Sequence, residues 1–189
     1  MTMLAEVLTA DARRLRTGVA DVAAEGVLRQ SRKSLVQVEQ AMTDAARESA
    51  SGFSEAKAPE GLLLALWRVR ADAVMVGRAL AEPLPATVAG QLAEPAAALI
   101  EAMAAELRAG ASAIVSGAAL ELGGSALVRE IFERAVESVR QARLTSDMTF
   151  DTAARIWGLV FAVESLLANI AELGVRVGEM GQPAAVGVP

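Results

Sequence analysis

Apolar residues recur every three or four positions along this chain, and that helical period limits its possible folds more than any other feature. Residues 3–25 predict a first helix, and residues 27–50 continue its period, so Gly26 either breaks the chain between two helices or lies within one that continues. The apolar stripe expected of the first helix is Leu4, Val7, Leu8, Leu15, Val19 and Val22. No alternation of apolar and polar residues predicts a strand, so we expect an all-α fold.

Proline and glycine clusters divide the rest of the chain into four more helices. These are predicted at about 59–81, 87–120, 126–144 and 149–179, with linkers near 52–59, 82–86, 122–125 and 145–148. Helices of this size would be about 30–45 Å long, because each residue adds about 1.5 Å. The prediction is a single elongated antiparallel bundle of about six long helices over residues 1–180, followed by a flexible tail rich in Gly, Pro and Ala at 181–189.

Hydrophobic residues make up 53% of the sequence and aromatic residues only 3%, so the core is expected to consist of Ala, Leu, Val, Ile and Met. In the fifth helix, the stripe expected to be buried is Leu127, Ile131, Ala135, Val139 and Ala142. In the last helix, it is Phe150, Ala153, Trp157, Val160, Phe161, Leu167, Ile170 and Val177. The apolar excess also indicates that another subunit, another domain or lipid covers part of the surface.

The chain contains no cysteine, histidine or tyrosine, which removes most of the usual catalytic and metal-binding side chains. Ser112, Ser116 and Ser125 therefore have no histidine to activate them. The carboxylates show no spacing specific to a metal site. We expect no enzyme activity, no cofactor and no metal.

The net charge of −5 argues against nucleic-acid binding, which usually requires a basic stripe. Short basic clusters at 13–16 and 29–33 lie among acidic residues, so we interpret them as solvated helix faces, with contact to anionic lipid as the alternative. Charged residues interrupt the most apolar windows, 96–122 and 156–171, so no stretch is expected to cross a bilayer. The first residues lack the pattern of a signal peptide, and we expect none.

The segment 62–80 carries four charged residues inside an otherwise apolar helix: Arg68, Arg70, Asp72 and Arg78. Arg68 and Asp72 are four residues apart and are expected to pair along the helix. Arg70 lies on a face predicted to be buried, where an arginine needs a carboxylate partner. Glu164 in the last helix is the expected partner, and we interpret the pair first as a structural contact between helices.

A second interpretation of the same residues is a pocket for a small organic acid. Arg70 would bind the carboxylate, and Trp67 and Trp157 would line the pocket, since a guanidinium beside an indole ring suits an aromatic carboxylate. On this interpretation, the chain is a free-standing helical bundle that binds a ligand.

Two segments carry a more specific pattern. The first, 66–79, reads LWRVRADAVMVGRA and is followed by a proline break at 83–85; the second, 158–173, reads GLVFAVESLLANIAEL. Both resemble the soluble region of the fusaric acid resistance (FUSC) family, which is related to the aromatic acid exporters. That family has the form L-R-x-D-x-V-M-x-G-R-A before a proline break, and a later helix with Phe, Glu and Asn at similar spacing. Ala71 and Ala73 depart from it, standing where a histidine and a larger aliphatic residue are common.

The resemblance implies a non-enzymatic helical domain of an efflux transporter for aromatic or other organic acids, at the cytoplasmic face of a bacterial inner membrane. Since the transmembrane bundles of such a transporter are not in this sequence, the chain would be an excised domain or a separate soluble relative. Its implied roles are assembly or interaction with substrate or an adaptor. The partners would be further copies of itself and the transmembrane segments of a parent transporter. Asp72, Arg78, Glu164 and Asn169 match positions of the family pattern.

Overall fold

The computed structural model of the protein describes residues 1–50, 60–118 and 123–181, and these ranges form six α-helices with no strand among them. The helices are α1 (Thr2–Thr17), α2 (Val22–Ala50), α3 (Glu60–Ala79), α4 (Ala86–Ser116), α5 (Gly124–Gln141) and α6 (Phe150–Gly181). The predicted all-α bundle is therefore confirmed. The predicted linker at 52–59 and all but the first residue of the predicted tail lie outside the described residues.

The first break in the chain falls at Gly18, and the predicted break at Gly26 is wrong, since α2 continues through that residue. Gly18 has a φ of 70°, and its N–H donates a 2.8 Å hydrogen bond to the carbonyl four residues earlier, which closes α1. The side chain of Asp21 then accepts a 3.0 Å hydrogen bond from the backbone two residues on, at the start of α2. Val19 and Val22, which were predicted to be buried on the first helix, are consequently exposed.

The helices pack around α4, which contacts α1, α5 and α6. α3 packs along α6, and α2 contacts α1 and α3. Two polar contacts show that α1 and α4 are antiparallel. Arg108 Nη2 donates to Thr9 Oγ1 at 2.6 Å, and Arg16 Nε donates to Glu94 Oε2 at 2.8 Å. Arg16 also pairs with Glu101, so one guanidinium near the end of α1 binds two carboxylates of α4.

The core consists mainly of aliphatic side chains from α1, α3, α4 and α6. The largest fully buried side chains are Leu4, Leu8, Leu92, Leu99, Ile100, Met103, Leu107, Phe132, Ile156, Leu159, Leu166 and Ile170. Ala96, Ala97 and Ala104 of α4 are buried among them, and such small residues let neighbouring helices approach closely. α2 is the least buried helix: Ser31 and Leu35 are the only buried residues among those whose side chains are described.

The buried faces of α5 and α6 differ in part from the predicted stripes. α5 buries Phe132, Val136 and Val139, of which only Val139 was predicted. The residues predicted to be buried that are exposed instead are Leu127, Ile131, Ala142, Phe150 and Phe161. Both helices carry apolar residues on more than one face, so the helical period alone did not identify the face that meets the core.

α6 is long and apolar enough over Phe150–Glu179 to cross a bilayer by length and composition alone, with a mean hydropathy of 1.6 over an 18-residue stretch. This corrects the prediction that no stretch would qualify, because Glu164 does not outweigh its apolar neighbours. Core helices of soluble proteins meet the same criterion, and 44% of the window is buried inside the bundle. The criterion therefore does not by itself place α6 in a membrane.

Candidate functional site: the interface between α3 and α6

A buried carboxylate joins α3 to α6. Asp72 is only 6% exposed, and both of its oxygens accept hydrogen bonds from α6. Ser165 Oγ donates to Oδ1 at 3.0 Å, and Asn169 Nδ2 donates to Oδ2 at 2.6 Å. Because a buried polar group costs free energy unless it is hydrogen-bonded, these two donors make the burial of Asp72 tolerable.

The positions of the two donors on α6 explain how they reach one carboxylate. Ser165 and Asn169 are four residues apart, so they lie one turn from each other on the same helix face, with Asn169 Nδ2 3.5 Å from Ser165 Oγ. On α3, Val69, Ala73 and Val76, which lie within about one turn of Asp72 in the sequence, are fully buried in the core. Since both Asp72 oxygens are occupied and buried, the cluster is better suited to joining two helices than to catalysis.

Arg68 pairs with Glu172 of α6, and the predicted pair with Asp72 is wrong. Arg68 Nη1 lies 2.9 Å from Glu172 Oε2, and the two side chains are 48% and 38% exposed. Asp72 turns towards α6 instead, where two neutral donors bind it. An ion pair this exposed contributes little to stability. The pair mainly shows which residues of α3 and α6 lie opposite each other.

Arg70 does not pair with Glu164, contrary to the sequence prediction. Its guanidinium carbon lies 5.9 Å from the ring centre of Trp67, and its Nε is buried without a hydrogen-bond partner. Burial, together with the nearby Arg32 of α2, lowers the pKa of Arg70. Glu164 lines a groove with Arg129 on the α5 side of α6. The two residues project from α3 and α6 in different directions, which the sequence did not reveal.

The two tryptophans also lie on different sides of the bundle, so the predicted pocket walled by both is wrong. Trp67 lines a groove of about 380 Å³ between α2 and α3, together with Met42 and Leu63. Trp157 lies 5.6 Å from the guanidinium carbon of Arg140 on α5. Arg78, the remaining candidate, is exposed at the rim of a separate cavity between α1, α2 and α3.

Arg155 of α6 is a residue that the sequence analysis missed. Its Nη1 donates to the carbonyls of Ala79 at 3.1 Å and Glu82 at 2.6 Å, and its Nη2 donates to that of Pro83 at 3.3 Å. A helix leaves its last carbonyls without helical partners, so Arg155 satisfies the end of α3 and the turn that follows. The sequence feature that could have identified Arg155 is its charge in the first turns of an otherwise apolar helix. The helical spacing of residues does not predict which carbonyls its guanidinium reaches.

The outer face of the α3–α6 pair is apolar. We define it as Leu64, Ala71 and Met75 of α3 with Phe161, Ala168 and Val175 of α6, all of them exposed. The ion pair between Arg68 and Glu172 links the two helices within this surface, so the two stripes lie side by side. Phe161 is 60% exposed, although the sequence analysis assigned it to the core. The sequence feature that could have predicted an exposed Phe161 is the presence of apolar residues on two faces of α6.

Within the described ranges, no three acidic, histidine or cysteine side chains converge in a way that could hold a metal ion. Comparison with family models, curated proteins and solved structures finds no match to this chain.

Proposed function

We propose that this chain is a non-catalytic helical domain of an efflux transporter that resembles the FUSC family, at the cytoplasmic face of a bacterial inner membrane. In this proposal, the domain works in assembly, by packing its outer face against other helices of the transporter complex. The observation that carries the proposal is the exposed apolar stripe along α3 and α6.

The spacing of the outer face suits a partner helix. Phe161, Ala168 and Val175 are each seven residues apart, and so are Leu64 and Ala71 on α3. A seven-residue spacing keeps a stripe turned towards one partner over several helical turns, as in coiled coils. The alanines would let that partner approach closely.

α6 is apolar on its inner face as well. Ile156, Leu159, Leu166 and Ile170 are buried in the bundle, while Phe161 and Val175 remain exposed on the other side. Contiguous exposed apolar surface is typical of an interaction site. The exposed apolar side of α6 therefore favours a partner that covers it in the functional assembly.

The resemblance gains support from the contact between its two segments. Segment 66–79 belongs to α3 and segment 158–173 to α6, and these helices pack on each other. Asp72 and Asn169 match the pattern in different segments, are 97 positions apart, and share a hydrogen bond. Two halves of one sequence pattern are expected to form one structural unit, and they do so here.

The first test is the native mass and fractionation of the protein, detected with an antibody against this chain. The proposal expects release from membranes only by detergent, in a complex far larger than the chain's 19.6 kDa. Phe161→Glu is expected to shift the protein out of that complex, because it places a charge within the apolar outer face. Val115→Glu is the matched control, since Val115 is 89% exposed at the end of α4, away from this face.

A soluble product of about 19.6 kDa in cells would contradict the transporter proposal. If Phe161→Glu and Val115→Glu had the same effect on the complex, assembly through the outer face would be excluded. Circular dichroism of both variants checks that each one keeps its helices.

The groove beside Trp67 favours a second candidate function, a free-standing bundle that binds a small aromatic carboxylate. Arg70 lies over the Trp67 ring and has a buried, unpartnered Nε, and Trp67 itself lines a mainly apolar groove that also includes Glu39. In a Trp157→Phe variant, Trp67 is the only remaining indole, and this candidate expects benzoate to quench its fluorescence saturably. Arg70→Met should abolish that effect, and an absence of quenching at millimolar benzoate would reject the candidate.

A further inference from the structure

Two exposed charges of opposite sign lie among the apolar residues of the outer face. Arg78 follows Leu64 and Ala71 at the same seven-residue spacing, so it continues their stripe along α3. Glu164 lies three residues after Phe161, so it belongs to the stripe along α6. Each of the two apolar stripes therefore contains a charge that a partner on this face has to meet.

Neither charge is neutralised by the chain itself. Arg78 makes no ion pair or hydrogen bond with any residue in the part of the chain that the structure describes. Glu164 has no such contact there either, and Arg129, which lines the same groove, pairs with Glu133 at 2.6 Å instead. Both side chains are therefore available to a charge from another molecule.

The two charges lie near each other along the length of the bundle. Ser165, the residue after Glu164, donates a hydrogen bond to Asp72, and Arg78 lies six residues beyond Asp72 on the antiparallel α3. At about 1.5 Å per residue, the levels of Arg78 and Glu164 differ by no more than about 8 Å along the helix axes. A long arginine side chain covers most of that offset.

A second copy of this chain presents matching groups to the outer face. A two-fold axis that runs parallel to the helices, between two such faces, sets α6 of one copy opposite α3 of the other at the same level. Because residue i then meets residue j and the reverse, every contact occurs twice. Glu164 of each copy comes next to Arg78 of the other, and the apolar stripes cover each other. The face is thus self-complementary in charge and in hydropathy.

We propose that the outer face binds a second copy of this chain in a two-fold dimer, in which Glu164 of each copy pairs with Arg78 of the other. This inference rests on the proposed assembly role of the outer face and names its partner. Burial of the apolar stripes drives the association, and the two ion pairs select the arrangement. Ala71 and Ala168, near the middle of the face, let the helices of the two copies approach closely.

Sedimentation equilibrium of the purified 189-residue chain tests this inference. We expect a reversible dimer, whose mass rises from 19.6 kDa towards twice that value as the concentration increases. Arg78→Glu sets two carboxylates against each other at both contacts, and Glu164→Arg does the same with two guanidiniums. Each variant alone should raise the dissociation constant of the dimer by about tenfold or more, since like charges then meet twice.

An equimolar mixture of the two charge variants tests the two-fold arrangement. A chain with Arg78→Glu and a chain with Glu164→Arg bring opposite charges together at both contacts, so the mixture should form a heterodimer about as tight as the wild-type dimer. Recovery on mixing is specific to a contact that joins these two positions between copies. Arg134→Glu is the matched control, because it makes the same charge change at an exposed position of α5 and should leave the dimer unaltered.

Three results would overturn the inference. One is a purified chain that stays monomeric at every concentration; if that monomer floats with phosphatidylglycerol vesicles, the outer face belongs to lipid instead. Another is a dimer of wild-type affinity in both charge variants. The third is a mixture that associates as weakly as either variant alone. A monomeric chain that still leaves the native membrane complex on Phe161→Glu would reject the dimer and keep the proposed assembly role, so the two failures are distinguishable.

Discussion

Asn169 donates a 2.6 Å hydrogen bond to Asp72 across the interface between α3 and α6. Ser165 binds the other carboxylate oxygen at 3.0 Å, so two neutral donors on one turn of α6 hold a charge that is almost fully buried on α3. This contact is polar but serves packing, because it fixes how two long apolar helices align. The stability of the bundle should therefore depend on it.

Asn169→Ala removes the shorter of these two hydrogen bonds and leaves Asp72 Oδ2 without its donor. We expect the free energy of unfolding to fall by about 1.5–3 kcal/mol, the usual contribution of a hydrogen bond to a charged group. Urea unfolding followed by circular dichroism measures the loss. Arg68→Ala, which breaks the exposed pair with Glu172, is the control and should cost less than about 1 kcal/mol. Equal losses in the two variants would contradict a special role for the buried cluster.

Arg155→Ala should destabilise the bundle by about 1–2 kcal/mol, because it leaves the part-buried carbonyl of Ala79 without its donor, while water can reach the exposed carbonyls of Glu82 and Pro83. Arg155→Lys keeps a donor but cannot reach three carbonyls at once, so it should recover only part of the loss. Thermal unfolding of both variants checks this order. Arg134→Ala serves as the control, since Arg134 is exposed and contacts only its own helix; a comparable loss there would refute the capping role.

Arg70→Met should change the free energy of unfolding by less than about 1 kcal/mol, in either direction. The substitution orphans no carboxylate, and it removes a buried unpartnered Nε and the repulsion from Arg32. The substitution also removes the contact between the guanidinium and Trp67, which lowers the free energy of unfolding by about 0.5–1 kcal/mol. Chemical denaturation decides the question: a loss of about 3 kcal/mol or more would be the sign of a buried ion pair, which is what the sequence alone had suggested.

Asp11→Asn should stabilise the protein at pH 8 and have little effect at pH 4. The pKa of Asp11 is about 7 in the fold, against 3.8 without burial, so the folded state holds the proton more tightly. The associated stability is complete below pH 3.8 and is lost as the pH rises to about 7. The loss has an upper limit of about 4 kcal/mol, at about 1.4 kcal/mol per pKa unit. Unfolding of both proteins across this range gives the difference; a constant offset would contradict it.

The sequence predicted the helices better than it predicted their faces. Helix number and the proline break after α3 followed from local chemistry, since Pro83 and Pro85 disfavour helix wherever they occur. The first break was wrong because two glycines, Gly18 and Gly26, were both available. In the fold, Gly18 adopts the left-handed conformation and Gly26 lies inside α2.

For the candidate residues too, the sequence identified unusual positions better than it predicted their partners. The sequence marked Asp72 as a charge inside an apolar helix and Asn169 only through the resemblance, and the structure brings them together. It also paired Arg70 with Glu164, because both looked like buried charges that needed partners. Residue spacing does not determine how each helix is rotated about its own axis in the bundle. In the structure, that rotation turns Arg70 towards α2 and Glu164 towards α5.

By itself, the sequence determined that the chain is helical, that its core is aliphatic, and that the usual histidine and cysteine chemistry is absent. These properties depend only on residue type and on the spacing of nearby residues, and both can be read directly from the sequence. Only the tertiary structure decided which apolar face of α6 is buried, which carboxylate Arg68 meets, and that Asp11 is buried without a partner for its Oδ2. Those properties depend on how helices that are distant in sequence are rotated and aligned against one another, and packing of the whole bundle sets that arrangement.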